Sequence, residues 1–368
     1  MNIAVINFIE YPQAGDHHWN DVIVSTLRRM NHKVVEFKHR RTSRFPGVAR
    51  VSKIDLDDSA KPLFERLVQY DLVIISNIFS GHTKDLTWSH AQLDIVNRLR
   101  RERVPVIGCL HNQISMYSDE AQEIILDIIQ KLSVVVSSSV ECFDGCEFKN
   151  ELVLPFLPYQ RKLADLTHRQ HLRGVLMTGR ISTTKGQRFL ASMADLINGD
   201  IYVAGRDQMG SSRSMRMALE KNDKVGWYPC PPSSAWSSNW DATLVTGHHF
   251  TYLGAYKSAD ELPWNLANVH VNLTDETISR GHLEYTSIEA LDAGLHAVAP
   301  VHARPDIGAL QYNNVSWVDF RHRKTADPMT VADVINDALD HGTDTCMADS
   351  DVNRHNAEDY VRAMLNRI

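Results

Sequence analysis

Short apolar runs alternate with amphipathic stretches along almost the whole chain, and this alternation constrains the fold more than any other feature. In the first half the runs are Ile3–Phe8, Lys33–Phe37, Leu72–Ser76, Pro105–Leu110 and Ser133–Ser137. Helical spacing fills Trp19–Met30, Ser89–Arg101 and Asp119–Leu132 between them. Strands separated by crossover helices pair in parallel, so the pattern predicts a doubly wound α/β unit. The stretch Glu151–Lys162 breaks the rhythm, because Pro155 and Pro158 each remove a backbone donor, and it reads as an interdomain linker. The rhythm then restarts with strands at Gly174–Thr178, Asp200–Ala204, Phe250–Leu253, Val269–Leu273, His296–Ala299 and Ser316–Phe320. A helix is expected over Gln187–Leu196, and a final amphipathic one over Asp351–Arg367. A chain of 368 residues exceeds what one core usually holds. The expected architecture is two Rossmann-like parallel-sheet domains, 1–155 and 163–345, with 346–368 as a C-terminal helix that packs back on the first.

Composition narrows the class. No apolar run approaches the roughly 20 residues of a membrane helix, and Glu10 interrupts the first strand too early for a signal peptide. The five cysteines, Cys109, Cys142, Cys146, Cys230 and Cys346, are odd in number and widely spaced, as in a reduced cytoplasmic protein. Net charge is −6, so any nucleic-acid contact must come from a local patch. The first strand is followed by IEYPQAGDHH, whose single glycine, Gly15, excludes the Gly-x-Gly-x-x-Gly turn of dinucleotide-binding dehydrogenases.

Two motifs carry chemistry. The first is Leu283–Gly294, LEYTSIEALDAG, which reads as a loop, a short helix and a glycine stop before a buried strand. Free N–H groups and the macrodipole at the start of such a helix attract an anion. The second is Thr178–Gly186, TGRISTTKG, a strand-to-helix loop bearing Arg180 and Lys185. A planar guanidinium and a mobile ammonium can hold two phosphates from different sides.

The order Gly-Arg-x-x-x-x-Lys-Gly, then Glu-Tyr-Thr-x-x-Glu-Ala-x-x-Ala-Gly, resembles the retaining GT-B glycosyltransferases, and in its Leu-Glu-Tyr-Thr spelling the DNA α-glucosyltransferases of T-even bacteriophages. In the first half, Asp71–Ser76 and the strand ending Leu110-His111-Asn112-Gln113 extend the likeness. The resemblance implies two domains facing a cleft and UDP-glucose as donor. It implies that Glu289 takes the ribose hydroxyls and that Arg180 and Lys185 take the diphosphate. Tyr285, Thr286 and Ser287 would cap the distal phosphate. Glu284 would face the sugar or support the cations, and His111 would lie near the sugar and acceptor. Gly281 stands where many such enzymes have a glutamate, and Asn112 where the phage branch has an aspartate. An asparagine has no basic site, which leaves His111 to take a proton or to tie down its own loop.

The acceptor side is expected in the first half. His32–Lys53 carries Lys33, Lys38, Arg40, Arg41, Arg44, Arg50 and Lys53 with Phe37 and Phe45 interleaved and Glu36 opposing, a run suited to a phosphate backbone. Arg98, Arg100, Arg101 and Arg103 form a second cluster, and Gly15, Asp16, His17 and His18 a first βα loop turned to the acceptor. The Asp-x-Asp patterns Asp55-Leu56-Asp57 and Asp349-Ser350-Asp351 read as surface acids, so no metal is expected. The expectation is a cytoplasmic, monomeric enzyme acting on hydroxymethylated pyrimidines in double-stranded DNA. A saccharide, lipid or small-molecule acceptor, or a non-catalytic nucleotide-sugar or nucleic-acid binding protein, is the alternative.

Overall fold

The computed structural model describes residues 1–7, 15–38, 63–78, 86–161, 173–182, 184–206, 250–256, 259–276, 280–305, 312–341 and 345–368. They form two compact units, 1–160 with 355–368, and 161–354.

The first unit is a six-stranded parallel sheet: β1 (Asn2–Asn7), β2 (Lys33–Lys38), β3 (Leu72–Ile75), β4 (Val106–Leu110), β5 (Val134–Ser137) and β6 (Glu151–Val153), in the order β2-β1-β3-β4-β5-β6. Its inner strands are mostly apolar without alternation and, apart from Asn2, buried, as expected when helices cover both faces of a parallel sheet. Those helices include α1 (Gly15–Arg29), α2 (Thr87–Arg101) and α3 (Asp119–Lys131). Helix α3 buries Ala121, Ile124, Ile125, Ile128 and Ile129, the single stripe that its spacing dictates. Strand order reverses between β1 and β3, so their C-terminal ends open a crevice.

The second unit has β7 (Gly174–Thr178), β8 (Asp200–Ala204), β9 (Phe250–Gly254), β10 (Val269–Val271), β11 (His296–Pro300) and β12 (Val315–Val318). All are parallel, in the order β12-β11-β10-β7-β8-β9. Counted from β7, this is the 3-2-1-4-5-6 order of a dinucleotide fold, with its reversal between β7 and β10. Among the described residues, helices α4 (Gln187–Ser192), α5 (Tyr285–Asp292), α6 (Pro328–His341) and α7 (Thr345–Asn353) belong to this unit and α8 (Ala357–Leu365) to the first.

Three expectations are corrected. Glu151–Val153, read as the start of a linker, is β6, pairing with β5 before Pro155 stops it. The expected Asp351–Arg367 helix is two helices, because the Asn356 side chain accepts from the N–H groups of Glu358 and Asp359 and caps a new start. The Gln187–Leu196 helix ends at Ser192 and continues as a 3₁₀ turn, Ala194–Leu196. No helix among the described residues is long and apolar enough to cross a membrane.

Candidate functional site

The chemistry expected of the second unit gathers where its strand order reverses. Helix α5 owes its shape to its last turn. Gly294 adopts φ +79°; its N–H donates to the Leu291 carbonyl at 2.9 Å, and that of Leu295 to Ala290 at 2.9 Å. This paired closure satisfies two carbonyls the helix would otherwise leave open and turns the chain into β11. Ile288, Ala290, Leu291 and Ala293 are buried beneath it. At the other end the N-cap residue is Glu284, whose side chain makes no cap hydrogen bond. The N-terminal dipole of α5 is therefore not satisfied by its own cap.

The Glu284 carboxylate is turned to Lys185 instead, and the two side chains are only 14% and 15% exposed. Asn272 Nδ2 donates to the other carboxylate oxygen at 3.3 Å, and Lys185 Nζ also donates to Thr274 Oγ1 at 3.3 Å. Burial pushes the Glu284 pKa up, but the charge and hydrogen bond of Lys185, aided by His282 and the Thr274 hydroxyl, outweigh it, and the carboxyl lies below the usual range. Of the two roles open to Glu284, the structure thus records contact with the cation.

Lys185 is delivered by the loop after β7. Gly186 closes that loop at φ +78°, and a Cβ there would fall 2.4 Å from the Leu273 carbonyl oxygen, so only glycine lets the loop sit against the end of β10. The Asp275 N–H donates to the Thr184 carbonyl at 2.8 Å and joins the two loops. Arg180 lies in the same loop, exposed, and its guanidinium makes no ion pair with another described residue. Of α5's remaining residues, Tyr285, Ser287 and Glu289 are buried and Thr286 half-buried. Tyr256 is pushed well up by burial and by the nearby Glu289 and Glu284 charges, despite hydrogen bonds at Thr178 and Gly179. Behind it His270 pairs through Nε2 with Thr178 Oγ1 at 3.0 Å; burial pushes its pKa down to about 3, so it is neutral.

In the first unit His111 follows β4 directly, at the C-terminal edge of the sheet. Its Nε2 lies 2.7 Å from the carbonyl oxygen of Ser76, which follows β3. A carbonyl only accepts, so Nε2 carries a proton in this contact. Trp19 packs edge-on against the ring at 5.5 Å and donates from Nε1 to the Tyr360 hydroxyl at 3.3 Å. Asn112 donates to the Tyr117 hydroxyl at 3.0 Å. Gly15, His17 and His18, expected in a loop, form the first turn of α1, and the His18 ring stacks over Tyr159 at 6.1 Å.

The basic residues divide. Lys38 ends β2 at the same sheet edge as His111, whereas Arg40, Arg41, Arg44, Arg50 and Lys53 lie outside the described residues, as do Asp55 and Asp57. Arg98, Arg100 and Arg101 end α2, and Arg103 follows it. A crossover helix runs against its strands, so this second cluster sits at the sheet edge opposite His111. Asp351, expected at the surface, is fully buried and accepts from the N–H groups of Asn313 (3.1 Å) and Asn314 (2.7 Å), while Asp349 pairs with Arg161 at 2.7 Å. Two residues absent from the sequence reading, Asn272 and Thr274, stand at the centre of the second unit's site. Asn272 fell inside the expected strand Val269–Leu273, which ends at Val271, and Thr274 directly after it, so position alone could have marked them.

The chain matches no protein-family model and no curated protein. Its fold is shared with solved structures over the full length. HepE of Anabaena, solved with UDP and glucose, is similar with a TM-score of 0.70 at 13% identity, covering 100% of both chains. An alpha-glucosyltransferase solved with UDP and a 13-mer DNA containing a HMU base has a TM-score of 0.61 at 13% identity, over 99% of this chain and 95% of that one. AviGT4, a glycosyltransferase involved in avilamycin A biosynthesis, has a TM-score of 0.59 at 12% identity, over 100% and 96%. Two Rossmann-like units of these strand orders, matched end to end by such structures, give this chain the fold of the GT-B glycosyltransferases.

Proposed function

We propose that the chain is a retaining glycosyltransferase that moves glucose from UDP-glucose to the hydroxymethyl oxygen of a modified pyrimidine, 5-hydroxymethylcytosine, in double-stranded DNA, without a metal. The observation that carries the donor half is the convergence, at one strand-order reversal, of an exposed guanidinium, a lysine and a helix N-terminus without its own cap. Such a group is suited to the charge that builds on a departing diphosphate. Arg180 and Lys185 would hold that diphosphate, Tyr285, Thr286 and Ser287 the distal phosphate, and Glu289 the ribose. The bond from the sugar's anomeric carbon to the phosphate oxygen breaks as a bond to the acceptor oxygen forms on the same face. The acceptor's proton passes to the departing phosphate oxygen.

The DNA acceptor is supported by the basic run from Lys33 to Lys53, with Lys38, Arg40, Arg41 and Arg44 on the backbone and Gly15, His17, His18 and His111 nearer the base. A base inside a duplex must leave the stack to be reached. The likeness to AviGT4, involved in avilamycin A biosynthesis, favours a second reading, a saccharide or small-molecule acceptor with the same donor half. Incubation of hydroxymethylated and plain DNA with a panel of UDP-sugars, followed by nucleoside mass spectrometry, separates the two. The expected result is a hexose mass on the hydroxymethyl nucleoside, with UDP released and both lost in Arg180→Ala. No addition from any donor, or DNA affinity without salt dependence, overturns the DNA reading.

A further inference from the structure

We propose that Asn272 is a positioning residue that holds the Glu284 carboxylate off the N-terminus of α5 and so keeps the anion site open; this rests on the donor reading of that site. Asn272 is 5% exposed, and its N–H donates to the Val298 carbonyl at 2.8 Å, which fixes it at the end of β10. Its amide has one possible orientation. The Thr274 N–H, which can only donate, points at Oδ1 from 3.0 Å, and the Thr274 hydroxyl reaches the same oxygen at 2.7 Å. Nδ2 must therefore face the other way, where Glu284 Oε2 lies at 3.3 Å and Ser287 Oγ at 3.4 Å.

Asn272, Thr274, Lys185 and Glu284 thus form a closed ring of hydrogen bonds. The ring has two effects on an incoming phosphate. It uses two of the three Lys185 donors, leaving one for an outside acceptor. It also keeps the Glu284 carboxylate from accepting from its own helix's first N–H groups, the bond that a capping side chain makes. Released from Asn272, Glu284 swings onto α5 and occupies the place of the phosphate.

The test is calorimetric titration of the full chain with UDP. Wild type is expected to bind, Asn272→Ala to bind about tenfold more weakly, since a cap competes on that scale, and Asn272→Ala/Glu284→Ala to regain most of the loss. Asn272→Ser takes the place of the alanine in both variants if Asn272→Ala does not fold. If Asn272→Ala binds like wild type, or the double variant is no better than the single one, Asn272 does not act through Glu284 and the inference fails while the donor reading stands. If wild type binds no UDP, the donor reading itself fails.

Discussion

Removing the Lys185 ammonium while keeping its bulk, as in Lys185→Met, strands the Glu284 carboxylate. Both side chains are more than four-fifths shielded from water, so solvent does little to replace the lost partner. Breaking a buried pair from one side costs about 3–5 kcal/mol; Asn272 still donates one hydrogen bond, which places this case near 3. For a unit of this size that is a fall of about 6–12 °C in Tm. Lys185→Met/Glu284→Gln leaves no charge behind and is expected to lose only about 1 kcal/mol, the net value of the remaining hydrogen bonds. The double variant should therefore be more stable than the single one. The pH dependence has a defined sign. In wild type the Glu284 pKa lies below its ordinary 4.5, so the stabilisation is complete above that value and is lost as pH falls through the lowered pKa. In Lys185→Met the same carboxyl is buried without a cation and its pKa rises, so the variant's penalty appears only above the unfolded pKa. Differential scanning calorimetry at pH 7 and pH 4 reads both effects. A gap between wild type and Lys185→Met that is the same at both pH values, or a double variant as unstable as the single one, refutes the reasoning.

Gly186→Ala combines a left-handed backbone with a Cβ 2.4 Å from the Leu273 carbonyl oxygen, and should lower stability by at least about 2 kcal/mol in urea unfolding. Arg180→Ala removes an exposed cation and should leave the unfolding free energy within about 0.5 kcal/mol of wild type while weakening UDP binding. His270 stays neutral down to about pH 3, whereas the unfolded chain binds its proton near 6.5; between these values acid favours unfolding through His270. His270→Gln, which never charges, should show a shallower acid loss of stability across that window, by up to about 1.4 kcal/mol per pH unit. Asp351→Asn turns one amide donor toward a backbone donor and should cost about 2 kcal/mol in the same unfolding assay.

The strands and most helices were legible because each is long enough for its period to show. What escaped was decided by single contacts. Strand β6 is three residues followed by a proline, so only its pairing with Val135, Val136 and Ser137 reveals it. The break before α8 rests on one side chain, Asn356, inside a pattern that is otherwise continuously amphipathic. Asp351 looks like a surface acid in Asp-Ser-Asp, because no local feature announces the two backbone N–H groups that receive it. The motif residues Arg180, Lys185, Glu284 and Glu289 were singled out by motif order and by the family resemblance. Asn272 and Thr274 were missed because the ring they close joins segments about ten to ninety residues apart.

The first unit is discontinuous in sequence, and this has a consequence for how the protein is made. Trp19, which packs on His111, finds its hydrogen-bond partner at Tyr360, 341 residues later. In chain order every residue of the second unit precedes α8, so the first unit lacks one of its helices until the whole second unit has been synthesised. Until then α1 presents to solvent the apolar surface on which α8 packs, including Trp19. The unit whose strands are synthesised first is thus the one whose core closes last.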